Sequence, residues 1–504
     1  MSYFSQQLEG VLSIDPGADA VEYNHEWLNW GQLKHSVDSI RARLTDLGLG
    51  KGSRVGVMIQ NRPDSLAAIL TVILMEGCIV SINPLLSRER LLSDLSGLKV
   101  PVIIGEPGDF DRDGVQEALQ AAGVAGIETE PLLKGAHMRK GLEAICGTDF
   151  DLIEENAMVQ MLTSGTTGTP KRIPLRQAAF EQTYIDALAY EKNRSVDDPP
   201  QLRSGVQLLT NPMTHIGGLW FAITTMVAGR KLVLVEKFSV EGWVDMVVRH
   251  KPKIVGAVPA ALRMLLDANL PKEVFEGLVA LRCGTAPLDP AVADEVMERY
   301  NLPVLTTYGA TEFAGSVAGW NIRDFRAHWA EKRGSVGRFH AGVEARIVDP
   351  ESGDLLPAGQ EGVLEMKAKQ FSNGEQWLRT TDRAVIDEDG FLFIKGRADN
   401  AIIRGGFKVH PDDVVKMIEK HDAVREAVVV GIPDRRLGAV PVAAIMLKEG
   451  AAQPSEDELK EFVKAQALPY QVPVKFLFVD DVPRTPSMKP STPMVRELFA
   501  DQAA

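Results

Sequence analysis

The sequence MVQMLTSGTTGTPK, residues 158 to 171, joins an apolar run to a loop rich in hydroxyl groups and glycines. Glycines let the backbone approach a ligand closely, and consecutive N–H groups together with hydroxyls can surround phosphate oxygens. The spacing differs from that of the GxxxxGK[ST] phosphate loop. We interpret the segment as another kind of phosphate-binding loop, with a solvated polar hairpin as the alternative. Its candidate ligands are Thr163, Ser164, Gly165, Thr166, Thr167, Gly168 and Lys171.

On both sides of this loop, short β-rich runs alternate with amphipathic helical patterns. The strand candidates are Arg54–Ile59, Val102–Ile104, Val206–Leu209, Lys231–Val235 and Lys253–Val258. The helix candidates between them include Trp30–Leu47, Ser65–Met75 and Glu241–Arg249. Such alternation indicates parallel sheets covered by helices on both faces. The sequence therefore predicts an α/β fold.

The pattern changes twice toward the C-terminus. Residues 334–395 form short β-rich runs with turn signals at 352–354 and 388–390, which predicts a small antiparallel β-barrel or sandwich. We expect a large N-terminal domain, residues 1–395, of two α/β layers plus this β-barrel, and a junction at 396–400, which the family resemblance described below implies to be a hinge. A small α+β domain, residues 401–504, would follow. Within it, the proline-rich segment 483–493 is expected to be a loop.

Composition and charge narrow the function. The 504 residues carry a net charge of −13, which argues against nucleic acid as a partner, because neutralising phosphates requires a basic surface. The N-terminal residues lack the pattern of a secretory signal. The most apolar stretch, Leu66–Val80, contains Glu76 and Gly77 and is too short to span a bilayer. We expect a soluble cytoplasmic protein without a membrane span, and a homodimer is left open.

Seven further motifs follow the loop in order along the chain. They are PMTHIGG (212–218), GTAPL (284–288), YGATE (308–312), LRTTD (378–382), GRAD (396–399), GGFKV (405–409) and PRTPSMK (483–489). Together with the first loop they closely resemble the adenylate-forming superfamily of acyl- and aryl-CoA synthetases, luciferases and peptide-synthetase adenylation domains. The resemblance covers nearly the whole chain. It implies that ATP activates a carboxylic acid as an acyl-adenylate, which is then passed to a thiol, most simply that of coenzyme A.

The resemblance also implies a nucleotide site. Tyr308 would lie against the adenine ring, and Asp382 would accept hydrogen bonds from both ribose hydroxyls. The adenine would also be lined by Gly284, Thr285 and Ala286. Taken alone, Tyr308 could be a packing residue and Asp382 a turn cap.

The same resemblance assigns the charges that the reaction needs, because a carboxylate that attacks a phosphate brings two anions together. Glu312 would hold Mg²⁺, and Thr311 would contact the α-phosphate. Arg397 would reach the ribose or a phosphate, and Lys489 would bridge the carboxylate and the phosphate. His215 would gate the path to the thiol. Taken alone, the three charged residues could be solvated and the histidine merely structural.

Other segments of the chain are assigned to three further roles: binding the acid substrate, binding the thiol acceptor and serving as the pivot of the C-terminal domain. The candidate acyl pocket consists of His215, Trp220, Phe221, Val258, Phe313 and Ala314, which favours an aromatic or medium-chain acid. By resemblance, a coenzyme A tunnel would be lined by Gly405, Gly406, Phe407 and Lys408. The C-terminal domain would be mobile and pivot at Asp399, presenting Lys489 for adenylation and then the tunnel segment for thiol transfer.

The chain departs from the family's pattern at three positions. Arg172 stands where a glycine usually follows Pro-Lys, and it would crowd the exit of the loop. Thr381 replaces the glycine of RTGD, so that turn must form without a positive φ. Met488 replaces the glycine before the final lysine, which makes that loop stiffer and more apolar.

Several alternatives to an acyl-CoA ligase stay open. An amino-acid-activating enzyme is disfavoured, because residues 211–221, NPMTHIGGLWF, lack the aspartate that such enzymes usually carry there. A non-catalytic nucleotide-binding homologue would be consistent with Thr381 and Met488, and a luciferase-like oxygenase is not recognisable from sequence. Coenzyme A phosphates could meet Arg435, Arg436 and Lys475, but an acidic carrier protein could use the same cations.

Overall fold

The computed structural model describes residues 1–154, 157–163, 171–188, 191, 194–371, 376–485 and 488–500. Its helices are α1 (Tyr3–Val11), α2 (Trp30–Asp46), α3 (Pro63–Leu74), α4 (Arg88–Gly97), α5 (Pro107–Phe110), α6 (Val115–Ala122), α7 (Gln177–Leu188), α8 (Ile216–Val227), α9 (Val240–His250), α10 (Pro259–Asp267), α11 (Pro290–Tyr300), α12 (Ile322–His328), α13 (Pro411–Ile418), α14 (Glu456–Lys464) and α15 (Thr492–Ala500). Within these described ranges, no helix has both the length and the apolar character needed to cross a bilayer.

The strands fall into five sheets. They are β1 (Asp19–Tyr23), β2 (Glu26–Asn29), β3 (Arg54–Met58), β4 (Cys78–Ile82), β5 (Val102–Gly105), β6 (Ala125–Glu130), β7 (Gly135–Met138), β8 (Val159–Thr163), β9 (Lys171–Leu175), β10 (Val206–Leu209), β11 (Lys231–Leu234), β12 (Ile254–Gly256), β13 (Ala280–Cys283), β14 (Val304–Ala310), β15 (Gly315–Gly319), β16 (Arg338–Phe339), β17 (Glu344–Val348), β18 (Gly362–Lys367), β19 (Leu378–Ile386), β20 (Leu392–Arg397), β21 (Ile402–Arg404), β22 (Phe407–Val409), β23 (Val424–Asp434), β24 (Gly438–Leu447) and β25 (Phe476–Phe478).

The largest sheet has the order β7-β6-β5-β3-β4-β8-β9, parallel in the middle with an antiparallel strand at each edge. Every residue of β3, β4 and β5 is buried, as expected for strands covered on both faces. The predicted phosphate loop connects β8 to β9, and its residues 164–170 lie outside the described part of the chain.

Two more sheets complete the α/β layers. One has the order β10-β11-β1-β2, and one hydrophobic cluster packs helices α1, α2, α3 and α8 between it and the largest sheet. The other has the order β12-β13-β14-β15-β16, with its first three strands parallel. The five predicted strands correspond to β3, β5, β10, β11 and β12, and the three helices to α2, α3 and α9. The predicted α/β fold is therefore confirmed.

Strands β17, β18, β19 and β20 pair in this order as an antiparallel sheet. Its two predicted turns are present, and each contains a glycine at positive φ, Gly353 at +77° and Gly390 at +78°. Glycine adopts this backbone without steric cost. The described strands show the antiparallel pairing, and closure into a barrel stays a prediction.

The C-terminal region is an α+β unit with strand order β22-β21-β24-β23, and β25 pairs with β24. Helices α13 and α14 share a core with this sheet. The prediction of a loop through residue 493 was wrong at its end, because α15 begins at Thr492. Pro493 is compatible with a helix there, since the N–H groups of a first turn have no intrahelical acceptor.

Polar contacts cross between this region and the rest of the chain. Arg263 on α10 donates a 2.5 Å hydrogen bond to the Arg425 carbonyl, and the Arg425 guanidinium pairs with Asp267. Arg383 on β19 lies 3.2 Å from the carboxylate of Asp413 on α13. Ion pairs and a hydrogen bond therefore contribute to the observed packing of the two regions.

Two of the unusual residues are accommodated without disturbing the fold. Thr381 lies within β19 and does not adopt a positive φ. The strand therefore continues through this position, where we expected a turn. Nη2 of Arg172 on β9 donates to both carboxylate oxygens of Asp94, at 2.7 and 2.8 Å, and Nη1 donates to the Ser81 carbonyl at 2.6 Å. Burial lowers the pKa of this arginine, which remains charged.

We expect Arg172→Met to lower the free energy of unfolding by about 3 kcal/mol, because Asp94 would be left as an uncompensated, mostly buried charge. Urea unfolding followed by tryptophan fluorescence measures this loss. Adding Asp94→Asn should restore part of the stability, and Arg323→Met, at an exposed position on α12, is the matched control. Wild-type stability in Arg172→Met would contradict the structural role of the pair.

Candidate active site

Two predicted nucleotide residues from separate motifs meet at the end of β14. The phenol of Tyr308 donates a hydrogen bond to the carboxylate of Asp382 on β19. Burial raises the pKa of Asp382 above its ordinary value. Burial and the neighbouring Asp382 charge also raise the pKa of Tyr308, so the phenol stays protonated at neutral pH. The pair offers an aromatic face beside a hydrogen-bond acceptor.

Beyond Tyr308 the chain reverses sharply and presents two further candidates. Thr311–Phe313 form a single 3-10 turn, and Ala314 adopts φ +55° before β15 begins. Glu312 is exposed on this turn and has no hydrogen bond or ion pair with any residue the structure describes. The turn therefore leaves one carboxylate available for a ligand.

Glu312 fits the magnesium ion that the family resemblance implies. Mg²⁺ in nucleotide sites commonly takes one or two carboxylates and completes its shell with water and phosphate oxygens. A single exposed carboxylate that forms no hydrogen bond or ion pair with a described residue is such a donor. Bound there, the ion would neutralise phosphate charge.

Lys489 enters the same cleft from the C-terminal region. Its side chain reaches solvent, yet burial lowers the pKa of its ammonium group, Arg397 lowers it further, and Glu312 opposes both effects. The ammonium group of Lys489 is therefore closely surrounded by protein but still accessible to solvent. The structure thus brings Lys489, Arg397 and Glu312 together although they are far apart in sequence.

The loop that carries Lys489 is held by its own backbone and by one arginine. The Thr485 N–H donates to the Lys489 carbonyl at 2.8 Å, and the Met488 N–H donates to the Thr485 carbonyl at 2.9 Å. Arg484 pairs at 2.5 Å with Glu426 on β23. Met488 adopts φ +63°, so it keeps the backbone that glycine prefers, at a cost of roughly 1 kcal/mol.

The predicted hinge residue is bound to a predicted nucleotide residue. Arg397 forms a bidentate ion pair with Asp399, at 2.9 and 2.8 Å. Hydrogen bonding to Asp399 is the main reason that the pKa of Arg397 is raised. The position of this guanidinium is therefore coupled to the backbone at the proposed pivot.

His215 immediately precedes α8 and is largely enclosed. Its Nε2 atom is buried and has no hydrogen-bond partner among the described residues. Burial, followed by the positive charge of Lys489, lowers the pKa of His215 from 6.5 to about 4. The imidazole is therefore uncharged at neutral pH and lies within electrostatic range of the lysine.

The segment after β13 approaches the neighbouring strand closely. A Cβ at Gly284 would lie 2.6 Å from Thr307 Oγ1, so only glycine fits without displacement. Thr285 is exposed at φ +72°, an unusual conformation for a threonine, and Ala286 is half-buried. Strained residues of this kind cluster at binding sites.

The predicted phosphate loop is described only at its two ends. Thr163 ends β8 and pairs in register with Lys171, the first residue of β9. The other candidates, Ser164, Gly165, Thr166, Thr167 and Gly168, lie outside the described residues.

The predicted acyl-pocket residues differ in accessibility. Trp220 and Phe221 are half-buried on α8, and the indole N–H of Trp220 donates to Thr183 Oγ1 at 2.8 Å. Val258 is half-buried at the start of α10. Phe313 and Ala314 are only 3% and 1% exposed and pack into hydrophobic clusters. Their role as pocket residues stays a prediction.

The predicted tunnel segment faces solvent. Gly405 and Gly406 adopt φ +57° and +88° in the turn between β21 and β22. Phe407 is 57% exposed and stacks on Tyr470 with ring centres 4.7 Å apart, and Lys408 is exposed. In the observed orientation the segment is open to solvent, and its role in a tunnel stays a prediction.

Three polar residues near this cleft were not predicted from the sequence: Arg282, Ser316 and His340. The first of them carried a signal, because a charged residue at a strand position flanked by apolar ones is unusual. The other two have no marker in the sequence, since their partners are distant in the chain.

We expect acid to destabilise the protein through His215. In the unfolded chain His215 would bind a proton near pH 6.5, but in the folded protein only near pH 4. The contribution of the uncharged histidine to the free energy of unfolding is therefore fully present above pH 6.5 and is lost as the pH falls toward 4. Between pH 7 and 4.5 the wild type should lose about 2–3 kcal/mol more than His215→Gln. Urea unfolding at each pH measures the difference, with His35→Gln at an exposed site as control. Equal losses in wild type and His215→Gln would contradict the assignment.

Comparison with known proteins identifies related sequences along the chain. Residues 10–374 match the AMP-binding enzyme family, and residues 416–489 match the AMP-binding enzyme C-terminal domain. A 2-succinylbenzoate–CoA ligase from Bacillus cereus is 27% identical over 504 residues, covering 97% of each chain.

Solved structures share the fold. An amide bond synthetase from Marinactinospora thermotolerans has a TM-score of 0.79 and 25% identity, covering 99% of each chain. The o-succinylbenzoate CoA synthetase from Bacillus subtilis, in complex with its acyl-adenylate intermediate, has a TM-score of 0.76 and 23% identity. It covers 97% of this chain and 98% of that one. The predicted relationship to adenylate-forming, AMP-forming acid–thiol ligases is confirmed, and the chain belongs to the AMP-binding enzyme family.

Proposed function

We propose that this chain joins a carboxylic acid with an aromatic body to coenzyme A, using ATP and Mg²⁺ and passing through an acyl-adenylate. The observation that carries the proposal is the meeting of Lys489, Arg397 and Glu312 in the cleft beside Tyr308 and Asp382. The family match and the CoA ligases among the relatives support the same activity.

In the first step, an oxygen of the substrate carboxylate bonds to the α-phosphorus of ATP, and the bond to pyrophosphate breaks. Two anions approach one another, so the barrier depends on positive charge already in place. Lys489 and Arg397 supply that charge in an enclosed cleft, where electrostatic interactions are stronger than in water. Thr311 would contact the α-phosphate, and the pair of Tyr308 and Asp382 would hold adenine and ribose.

In the second step, the thiol sulfur of coenzyme A bonds to the acyl carbon while the bond to the AMP oxygen breaks, and the thiol proton is released. Lys489 would have to withdraw to admit the thiol. His215, uncharged at neutral pH, would border the route without adding a second fixed charge. The segment Gly405 to Lys408, now facing solvent, would line the thiol tunnel after rotation.

We place the domain boundary and pivot at residues 396–400. The ion pairs of Arg383 with Asp413 and of Arg425 with Asp267 would break on rotation. Partly exposed pairs of this kind are individually weak, so they permit a reversible change of orientation. The bidentate pair of Arg397 with Asp399 lies at the pivot itself.

The acid and the acceptor are tested together by measuring pyrophosphate, AMP and thioester formation. Because relatives act on 2-succinylbenzoate, this acid and its single-carboxylate analogues are the first substrates to try. The acceptor arms are coenzyme A, pantetheine and a phosphopantetheinylated carrier protein. Thioester formation that prefers coenzyme A supports the proposal; preference for the carrier, or no pyrophosphate release with any acid, overturns it. A homodimer and a cytoplasmic location stay predictions.

We expect Lys489→Ala to slow adenylation by roughly 10²–10³-fold, because one positioned charge is lost from the first step. Pyrophosphate exchange measures this half-reaction. Thioester formation from a pre-made acyl-adenylate should be nearly unchanged, since the lysine is withdrawn in that step. Lys464→Ala, an exposed lysine on α14, is the matched control. Equal losses in the two half-reactions would recast Lys489 as structural.

A further inference from the structure

Arg282 stands out among the residues that the proposed mechanism leaves unused. It lies on β13 between Leu281 and Cys283, each 1% exposed, but its own side chain reaches solvent. It has no hydrogen bond or ion pair with any residue in the described ranges. Burial nevertheless lowers the pKa of its guanidinium.

Lys489 shows the same combination of solvent contact, burial and no ion-pair partner among the described residues. Both cations are thus closely surrounded by protein but still accessible to solvent. We call the surroundings of Arg282 the recess. An anionic ligand bound there would supply the counter-ion that the described residues do not.

One wall of the recess around Arg282 is formed by the sheet that also carries Tyr308. Side chains alternate along a strand, so Arg282 and Gly284 share a face, and a Cβ at Gly284 would meet Thr307 Oγ1 at 2.6 Å. On that face, a Cβ at Gly319 would lie 3.2 Å from Thr307 Cγ2 and 3.3 Å from His340 Cε1. Because glycine has no side chain, these two positions leave the space beside Thr307 and His340 unfilled.

His340 links the arginine to the nucleotide site. Burial, then the positive charge of Arg282, lowers the pKa of this histidine, so the two side chains lie near each other. Nε2 of His340 is 3.1 Å from Ser316 Oγ, which lies 3.3 Å from the Tyr308 carbonyl oxygen that it can donate to. The recess therefore adjoins the predicted adenine-binding tyrosine.

Helix α7 also lies near His340, and α8 packs beside α7. The negative charge of Asp186 on α7 raises the pKa of His340, although burial and Arg282 lower that pKa more strongly. Thr183, three residues earlier on the same face of that helix, accepts the indole hydrogen bond of Trp220. The recess thus lies near the helix that carries the predicted acyl-pocket tryptophan.

We propose that Arg282 binds a second carboxylate of the acid substrate, so that the enzyme selects dicarboxylic acids with an aromatic body. The inference rests on the proposed ligase function. A guanidinium fork suits a carboxylate, to which it can donate two parallel hydrogen bonds. Among the described residues, no acidic side chain contributes to the pKa of Arg282, so Asp186 does not neutralise it and the arginine is available to the ligand. Trp220 would contact the apolar body of the acid.

The test compares 2-succinylbenzoate with its two single-carboxylate analogues, 4-oxo-4-phenylbutanoate and 2-butanoylbenzoate. The wild type should show a kcat/KM for the diacid roughly 10–100-fold above that for the better analogue, as expected of one charge-assisted bidentate contact. Arg282→Met should remove this preference, mainly through KM, with little change for the analogues. Arg282→Lys should retain part of the preference, and Arg323→Met should behave as wild type.

Calorimetric titration of the same acids separates this proposal from the ligase function. If no acid supports pyrophosphate release, the ligase function fails, but tighter binding of the diacid to wild type than to Arg282→Met still supports the subsite. An analogue that binds the wild type as tightly as the diacid overturns the proposal. Equal losses for diacid and analogues in Arg282→Met would also overturn it, because they indicate a purely structural arginine.

Discussion

The joining of two anions in an enclosed cleft is the constraint on which the rest of this structure depends. In the proposed mechanism, the cation between them is close during the first step and withdrawn during the second, so it would not belong to a fixed wall. Lys489 meets that requirement because it lies on a short loop of the C-terminal region, anchored by Arg484 on Glu426. The sheet of β23 and β24, with its helices, serves as the rigid support for that loop, and ion pairs such as Arg383 with Asp413 hold it against the larger region.

Much of this arrangement could be predicted from sequence, where the pattern is local. Fully buried strands read as continuous apolar runs, and the motifs place glycine, hydroxyl and charged residues at fixed spacings. The start of α15 was missed, because proline suggests a loop although a first helical turn tolerates it. Arg172 was expected to crowd its loop, but its partner Asp94 is 78 positions away in sequence, so no local pattern could show that the charge is satisfied.

The cleft also shows how little net charge says about a site. The chain as a whole carries a charge of −13, yet Lys489 and Arg397 lie in one cleft and Arg282 lies near His340 on the sheet that carries Tyr308. Anionic substrates are drawn by the local electrostatic field of the cleft, which surroundings of low polarity concentrate, and not by the net charge of the chain. Lys489 and Arg282 have no ion-pair partner among the described residues, so they are positioned for ligands rather than for stability.

The positive φ of Met488 has a consequence for how this sequence can vary. On any scale of chemical similarity, isoleucine and valine are close to methionine, while asparagine and glycine are remote. A left-handed backbone reverses this order, because branching at Cβ adds to the steric clash, whereas asparagine tolerates that region and glycine is unstrained in it. Substitution matrices built on side-chain resemblance should therefore misrank changes beside Lys489, and backbone compatibility should govern which variants of this loop persist.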